Sequence, residues 1–394
     1  MQEPQLPLAG VRVLSLAEQL PGPICGLLLS ELGADVTLLE RPDGGDPQRQ
    51  VGPANFRFGA RAKKSVALDL KDPGSRRAAQ LLAARTHVLL EGFRPGVAAR
   101  LGLGYEEVWA SNPGVVYCSI SGYGQDGPLS QASGHNLNYE AMSGLLTPFV
   151  TGLADQYFLE APPWGDILSG VFAALGVVAA VRRAESSGVG THLDLSIVDS
   201  LVFALGPAIT RHHAGAEAFP RREGAYGVFR CADGYVTLGI NHEDHMWRAL
   251  CRELALADYS ELDHDERRSR RAEIRERIQD VLATRTVEHW VGRLAQSAAC
   301  SRVNTLDDLC TDPQLRTRNV FTEAIAPDGE PFTTVRSPLA AEDSTPAAVP
   351  QLGEHTAEVL AALGLPDGVV DGILRHSAAV AGGGTVAAAP GGRP

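Results

Sequence analysis

The chain has 394 residues, of which 44% are hydrophobic and 21% charged, the composition of a folded protein long enough for two to three domains. A formal net charge of −12 argues against nucleic acid as a partner, yet leaves room for an anionic ligand held by local arginines and lysines. The six cysteines are scattered without a C-x-x-C pair, which fits reduced thiols in a cytoplasmic protein and neither a disulfide framework nor a zinc site. No basic stretch followed by an apolar core opens the chain, so no signal peptide is expected. The most apolar run, Ile167 to Val181, is too short to span a bilayer, so no membrane partner is expected.

Val11-Arg-Val-Leu-Ser-Leu16 reads as a buried parallel strand. Pro21-Gly-Pro23 then opens a helix whose apolar face runs from Ile24 to Leu32, and Gly33 stands where a helix C-terminal glycine belongs. Ala34 to Glu40 is the next strand. A helix at Pro73 to Arg85, a strand at His87 to Glu91, a helix near Glu106 to Ala110 and a strand at Val115 to Ser119 follow. This alternation predicts an α/β fold built on an open parallel sheet. The first turn is Leu20-Pro-Gly-Pro23, not G-x-G-x-x-G, so no nicotinamide cofactor is expected. An open sheet still binds its ligand at the carboxyl ends of its strands. Two such ends are unusual: Glu91-Gly-Phe-Arg-Pro-Gly96, and the loop Ser119 to Pro128 with its closely spaced glycines.

Downstream, Ser133-Gly-His-Asn-Leu-Asn-Tyr139 puts a lone imidazole, His135, at the start of a helical run. Pro163-Trp-Gly-Asp166 puts a lone carboxylate just before a long apolar helix beginning at Ile167. Taken alone, such a histidine is most often a surface or hydrogen-bonded core residue, and such an aspartate an N-cap. Together they form a workable acid–base pair for a carbon acid. Thr191 to Ile197 reads as a half-buried strand and Asp199 to Leu205 as a helix, followed by a linker over 206–222. A smaller domain is expected over 223–318, with a hairpin turning at Asp233-Gly234 and helices at Glu243–Glu253, Asp265–Ala283 and Val287–Gln296. Residues 319–376 then complete the large domain of residues 1–205, with β structure near Val320 to Leu339 and a helix at Gly353 to Leu363. The Ala-, Gly- and Pro-rich 377–394 reads as a disordered tail. The histidines lack ligand spacing and no metal is expected.

The segments Gly33-Ala-Asp-Val36, Glu91-Gly-Phe-Arg-Pro-Gly96, Gly122-Tyr-Gly-Gln-Asp-Gly-Pro128, Cys231-Ala-Asp-Gly234, Asp312-Pro-Gln-Leu315 and Leu352-Gly-Glu-His-Thr356 resemble the family III CoA-transferases. The stretch Gly134-His-Asn-Leu-Asn-Tyr139 is similar, within that family, to the α-methylacyl-CoA racemase branch, in which Asp stands where this chain has Asn136. The resemblance implies a large Rossmann-like domain with an inserted smaller domain, interlocked as a homodimer. It implies a racemase that moves a proton at the α-carbon of a 2-methylacyl-CoA, with His135 and Asp166 on opposite faces and Glu243 supporting the histidine. For coenzyme A, bound as part of the substrate, it points to Arg41, Lys63, Lys64 (with Arg61 beside them), Glu91, Arg94, Gly122, Tyr123 and Gly124. The family's other chemistry, CoA transfer between carboxylic acids with Asp166 as nucleophile, is the alternative. A non-catalytic acyl-CoA-binding relative is a third.

Overall fold

Six short strands, β1 (Arg12–Ser15), β2 (Asp35–Glu40), β3 (Lys64–Ala67), β4 (Val88–Glu91), β5 (Val116–Ser121) and β6 (Thr191–Ser196), pair in parallel in the order β3-β2-β1-β4-β5-β6. The computed structural model describes residues 6–151, 162–340 and 347–383. Every residue of β4 and β5 is buried, as a sheet covered on both faces requires. β3 was not read from the sequence. Lys64-Ser-Val-Ala67 is four residues with a lysine at its start, too short for a periodicity signal. It is secured by a segment almost 300 residues away: the Ala67 amide donates to Thr356 Oγ1 at 3.0 Å, and the Gly353 amide to Ser65 Oγ at 2.9 Å.

Two helices on one face of the sheet set up the site. The first, Pro21–Glu31, starts with the expected proline. The second runs from Trp164 to Ser187, 24 residues. That corrects two expectations. The helix is long and apolar enough to cross a membrane by length and composition, although its Ser169, Gly170, Ala173, Ala174 and Val177 side is buried, largely in one core with Cys25, Leu29 and Val116. And Asp166 lies inside the first turn, with Pro163 in the N-cap position. The two helices meet where a Cβ on Gly170 would lie 2.7 Å from the Pro21 carbonyl oxygen and 2.8 Å from Ile24 Cγ2. Glycine is therefore what lets the two N-termini approach.

The chain divides into two compact units: one runs up to Ile209 and resumes at Asn319, and the other is Thr210–Arg318. In the second, β7 (Tyr226–Arg230), β8 (Tyr235–Gly239) and β9 (Cys300–Arg302) form an antiparallel sheet. Its core gathers Phe229, Leu238, Trp247, Ile278 and Trp290. Arg267 and Glu223, each 1% exposed, pair at 2.8 Å inside it. Residues 206–213, expected as linker, are helical, and the expected 265–283 helix is two, His264–Ser269 and Arg271–Leu282. In the first unit the returning chain adds the β10 (Phe321–Ile325) and β11 (Pro331–Val335) hairpin, with β12 (Ala347–Ala348) alongside β10. The closing helix Asp367–Gly383 continues past the point where a tail was expected, because Ile373 and Ser377 are buried and the Ser377 hydroxyl donates to the Ala67 carbonyl at 3.1 Å. Residues 384–394 of that expected tail lie outside the described residues.

Gly170→Ala should lower the melting temperature, since overpacking costs about 1–3 kcal/mol. Gly176→Ala on the same helix, whose added Cβ would meet only Leu193 Cδ1 at 3.4 Å, should be neutral or stabilising by up to about 1 kcal/mol through helix propensity. Thermal denaturation of both variants checks the contrast.

Candidate active site

The chain diverges at the carboxyl ends of β1 and β4, because β1 is followed through β2 to β3 on one side and β4 to β6 lie on the other. In open α/β sheets this is where a ligand crevice forms. Here it holds a cavity of about 330 Å³. One wall is the loop after β1 with the start of the first helix, including Glu18, Pro21 and Gly22. A second is Gly92 to Pro95 after β4, and a third Gly122 and Tyr123 after β5. Ser133 to Asn136, Tyr139 and Asp166 complete it.

Asp166 is brought there by the first turn of the long helix. Two effects oppose each other at its carboxyl. The helix N-terminus favours the carboxylate, whereas burial disfavours it. Burial wins: with a further push from Glu140, and against a pull from His135, it raises the Asp166 carboxyl from the ordinary range to about 6. His135 is exposed in the N-cap position of the Asn136–Ser143 helix, and its backbone amide donates to Asn138 Oδ1 at 3.0 Å. The Tyr139 hydroxyl donates to the Gly134 carbonyl at 2.6 Å, and its ring stands edge-on to Tyr123 with centroids 5.2 Å apart. A Cβ on Gly122 would lie 2.4 Å from that ring and one on Gly134 2.6 Å. These two glycines are thus needed for close packing beside the cavity.

Of the residues expected from the sequence, the structure brings His135, Asp166, Arg94, Gly122 and Tyr123 to one cavity. Arg94 is exposed and donates to Ser133 Oγ at 2.7 Å, so its charge is not spent on an acid in that bond. The other candidates are placed elsewhere. Glu91 is 4% exposed and is not part of the cavity lining; it accepts from the Phe93 amide at 2.8 Å. Gly124 lies off the lining too; its φ of +90° shapes the turn in which the Gln125 amide donates to Asp194 at 3.0 Å. Arg41 is exposed just beyond β2, its Nε donating to the Gly45 carbonyl at 2.8 Å.

None of Arg61, Lys63 and Lys64 lines that cavity. Arg61, 3% exposed, pairs with Glu31 at 2.9 Å. Lys63 is 6% exposed and donates to the Pro23 carbonyl at 2.8 Å; burial pulls its ammonium down to about 7. Lys64 starts β3 and reaches Asp35 and Glu358, each at 3.5 Å. It lines a separate cavity of about 430 Å³ with Arg12, Asp35 and Arg85, at the amino edge of the sheet. Glu243 belongs to the second unit, where its carboxyl accepts from the amides of Asn241 and His242 at the start of the Asp244–Glu253 helix.

Sequence reasoning missed Glu18 and Glu140. Glu18 lines the cavity, and burial, reinforced by Asp46, raises its carboxyl to about 7. The available signal was its position directly after the first strand. Glu140 is 1% exposed. Its signal was a charge on the otherwise buried side of a short helix, one turn after Asn136. Among the described residues, no group of three or more His, Cys, Asp or Glu is arranged to hold a metal ion.

Residues 8–356 match the family described as CoA-transferase family III. The chain belongs to that family. A succinate–glutarate CoA-transferase of Agrobacterium fabrum is 30% identical over 392 residues, covering 91% of this chain and 96% of the relative. An acetyl-CoA:oxalate CoA-transferase of Acetobacter aceti is 31% identical over 313 residues, covering 73% and 78%. Among solved structures, a CAIB/BAIF family protein from Brucella suis superposes with a TM-score of 0.80 at 26% identity, over 91% of this chain and 100% of that one. A hypothetical protein from Mycobacterium tuberculosis does so with a TM-score of 0.80 at 28% identity, with the same coverage. The family III resemblance read from the motifs is confirmed. Its narrower assignment to the racemase branch finds no support in these relatives, two of which are named for CoA transfer.

A carboxyl raised by folding costs stability above its ordinary pKa. The folded Asp166 releases its proton near 6, against 3.8 ordinarily, so the penalty is absent below about pH 4, grows between 4 and 6 and is fully present at 7. Asp166→Asn should therefore raise the melting temperature at pH 7 and change it little at pH 4, as read by thermal melts across that range.

Proposed function

We propose that this chain is a CoA-transferase that moves coenzyme A from an acyl-CoA to a free carboxylic acid, with Asp166 as the nucleophile. The observation that carries this reading is the Asp166 carboxyl, poised by a helix N-terminus at the edge of a cavity at the sheet's switch point. With its carboxyl near 6, Asp166 is mostly ionised at neutral pH and more basic than an ordinary aspartate, which favours nucleophilic attack. The names of the relatives support the same chemistry.

A carboxylate oxygen of Asp166 attacks the thioester carbonyl, the C–S bond breaks, and the CoA thiolate leaves an acyl–aspartyl anhydride. The thiolate then attacks the aspartyl carbonyl, releasing the first acid as its carboxylate and leaving an aspartyl–CoA thioester. The incoming carboxylate attacks that thioester, and the thiolate leaves once more. Its final attack on the new acyl carbon regenerates Asp166. No net proton is exchanged. Each tetrahedral oxyanion needs donors, which helix N-termini are suited to supply; at the start of the first helix, which lines the cavity, Pro21 has no N–H and the Gly22 amide is the donor available. Arg94, and Arg41 further along the same carboxyl edge, are suited to CoA phosphates.

Asp166→Ala should abolish transfer from succinyl-CoA to a panel of dicarboxylic acids. With the native protein, hydroxylamine should convert Asp166 to its hydroxamate only when acyl-CoA is present, as mass spectrometry of the peptide would show. The rate should fall on the acid side with a midpoint near 6, where the nucleophile is protonated. The α-methylacyl-CoA racemase reading keeps one specific observation, that His135 and Asp166 line the same cavity. Deuterium uptake at the α-carbon of a 2-methylacyl-CoA, without hydroxamate formation, would favour it over transfer.

Arg94→Ala should raise KM for the CoA ester by about tenfold or more with a smaller effect on kcat, because phosphate binding is shared by ground and transition states. A loss confined to kcat in steady-state kinetics would contradict that role.

A further inference from the structure

Two side chains next to Asp166 take no part in the transfer steps above. Asn136 begins the 136–143 helix, and Glu140 follows one turn later. The Asn136 Nδ2 donates to Glu140 Oε1 at 2.8 Å. The Asn136 Oδ1 accepts from the Gly165 amide at 3.0 Å and the Asp166 amide at 3.4 Å. Those amides belong to the first turn of the long helix, where backbone donors have no partner within the helix. Its own N-cap residue, Pro163, makes no side-chain capping bond. The cap comes instead from another helix, and Gly165 admits it: a Cβ there would lie 2.9 Å from Asn136 Oδ1.

A carboxamide has one donor end and one acceptor end. The backbone amides require its oxygen and the Glu140 carboxyl requires its NH₂, so a single orientation satisfies both. Glu140 is 1% exposed, and its Oε2 has no hydrogen-bond partner among the described residues. A buried acid in this position is costly unless it serves something.

Resting on the transferase reading, we propose that Glu140 is a positioning residue: it orients the Asn136 carboxamide, which clamps the helix turn carrying Asp166 at the cavity. Its charge also reaches the nucleophile, as one of the groups acting on Asp166 after burial itself, with His135 opposing. Tyr139, on which burial, Tyr123 and Asp166 act with Arg94 opposing, and Glu18 are further ionisable groups lining the same cavity. A plain packing role for Glu140 would set neither the orientation of the amide nor the pH at which Asp166 works.

The test measures CoA transfer from succinyl-CoA to glutarate by the full chain, with kcat, KM and pH profile for four variants and a thermal melt for each. Glu140→Leu removes the acceptor and should lower kcat on the order of 10- to 100-fold with little change in KM, the cost of a misplaced nucleophile. Glu140→Gln can still accept from Asn136, so kcat should stay within a few-fold while the acid limb moves to lower pH. Asn136→Asp sets a second acid against Glu140; kcat should fall and the acid limb move to higher pH. Combining Asn136→Asp with Glu140→Gln restores a matched donor and acceptor and should recover most of the lost kcat, a coupling that independent sites would not show. A double variant no better than Asn136→Asp alone, or a folded Glu140→Leu with native kcat and pH profile, overturns the proposal. Native protein that neither transfers CoA nor forms the hydroxamate overturns the transferase reading itself, and the clamp's catalytic role with it.

Discussion

The site depends on one topological constraint. In a parallel sheet whose chain leaves β1 toward one side and β4 toward the other, the loops at the carboxyl ends of those two strands must separate. The gap cannot be closed by neighbouring backbone, and a crevice remains. Around it the fold places the start of the first helix and the first turn of the long one. Their approach is set by Gly170, where any larger residue would press on the Pro21 carbonyl. A backbone contact one helical turn from Asp166 thus sets how close the nucleophile's helix stands to the opposite wall.

Within that crevice, electrostatics are a contest between burial and fixed dipoles. At Asp166 burial prevails over the helix N-terminus, and the carboxyl rises to about 6. At Glu18, on the facing wall, burial and the nearby Asp46 raise it to about 7. At neutral pH Asp166 is mostly ionised whereas Glu18 carries only part of a charge, which limits the negative charge an anionic ligand would meet there. The same logic ties Asn136 to Glu140: a neutral amide gives the Glu140 carboxyl a donor and the Gly165 and Asp166 backbone amides an acceptor, whereas a further acid in that place would have to be protonated or displaced.

The cations tell the opposite story. Arg61 and Lys63 lie buried in the framework and are satisfied there by Glu31 and the Pro23 carbonyl. Arg94 and Arg41 remain exposed at the carboxyl edge. Burial, rather than charge or proximity in sequence, separates structural cations from those free to meet a phosphate.

The sequence alone determined the alternating strands and helices, the parallel sheet and the family, and it singled out His135 and Asp166, which line one cavity. Those features are written in local pattern: buried strands as apolar runs, the helix start at Pro21, the break at Gly33. Tertiary structure decided the rest. β3 has no periodicity of its own and exists through bonds to residues near 355. Lys64 reads as a ligand contact until the register of β3 puts it at the amino edge of the sheet. Asp166 reads as an N-cap, yet the cap on its helix comes from Asn136, thirty residues earlier. In the sequence Glu140 shows only as a charge on the buried side of a short helix; its partner Asn136, and through it the turn of Asp166, appear only in the fold. Local sequence encodes which face of an element is buried. Which distant donor meets which acceptor is settled only when the chain closes on itself, because a hydrogen bond depends on separation in space and not along the chain.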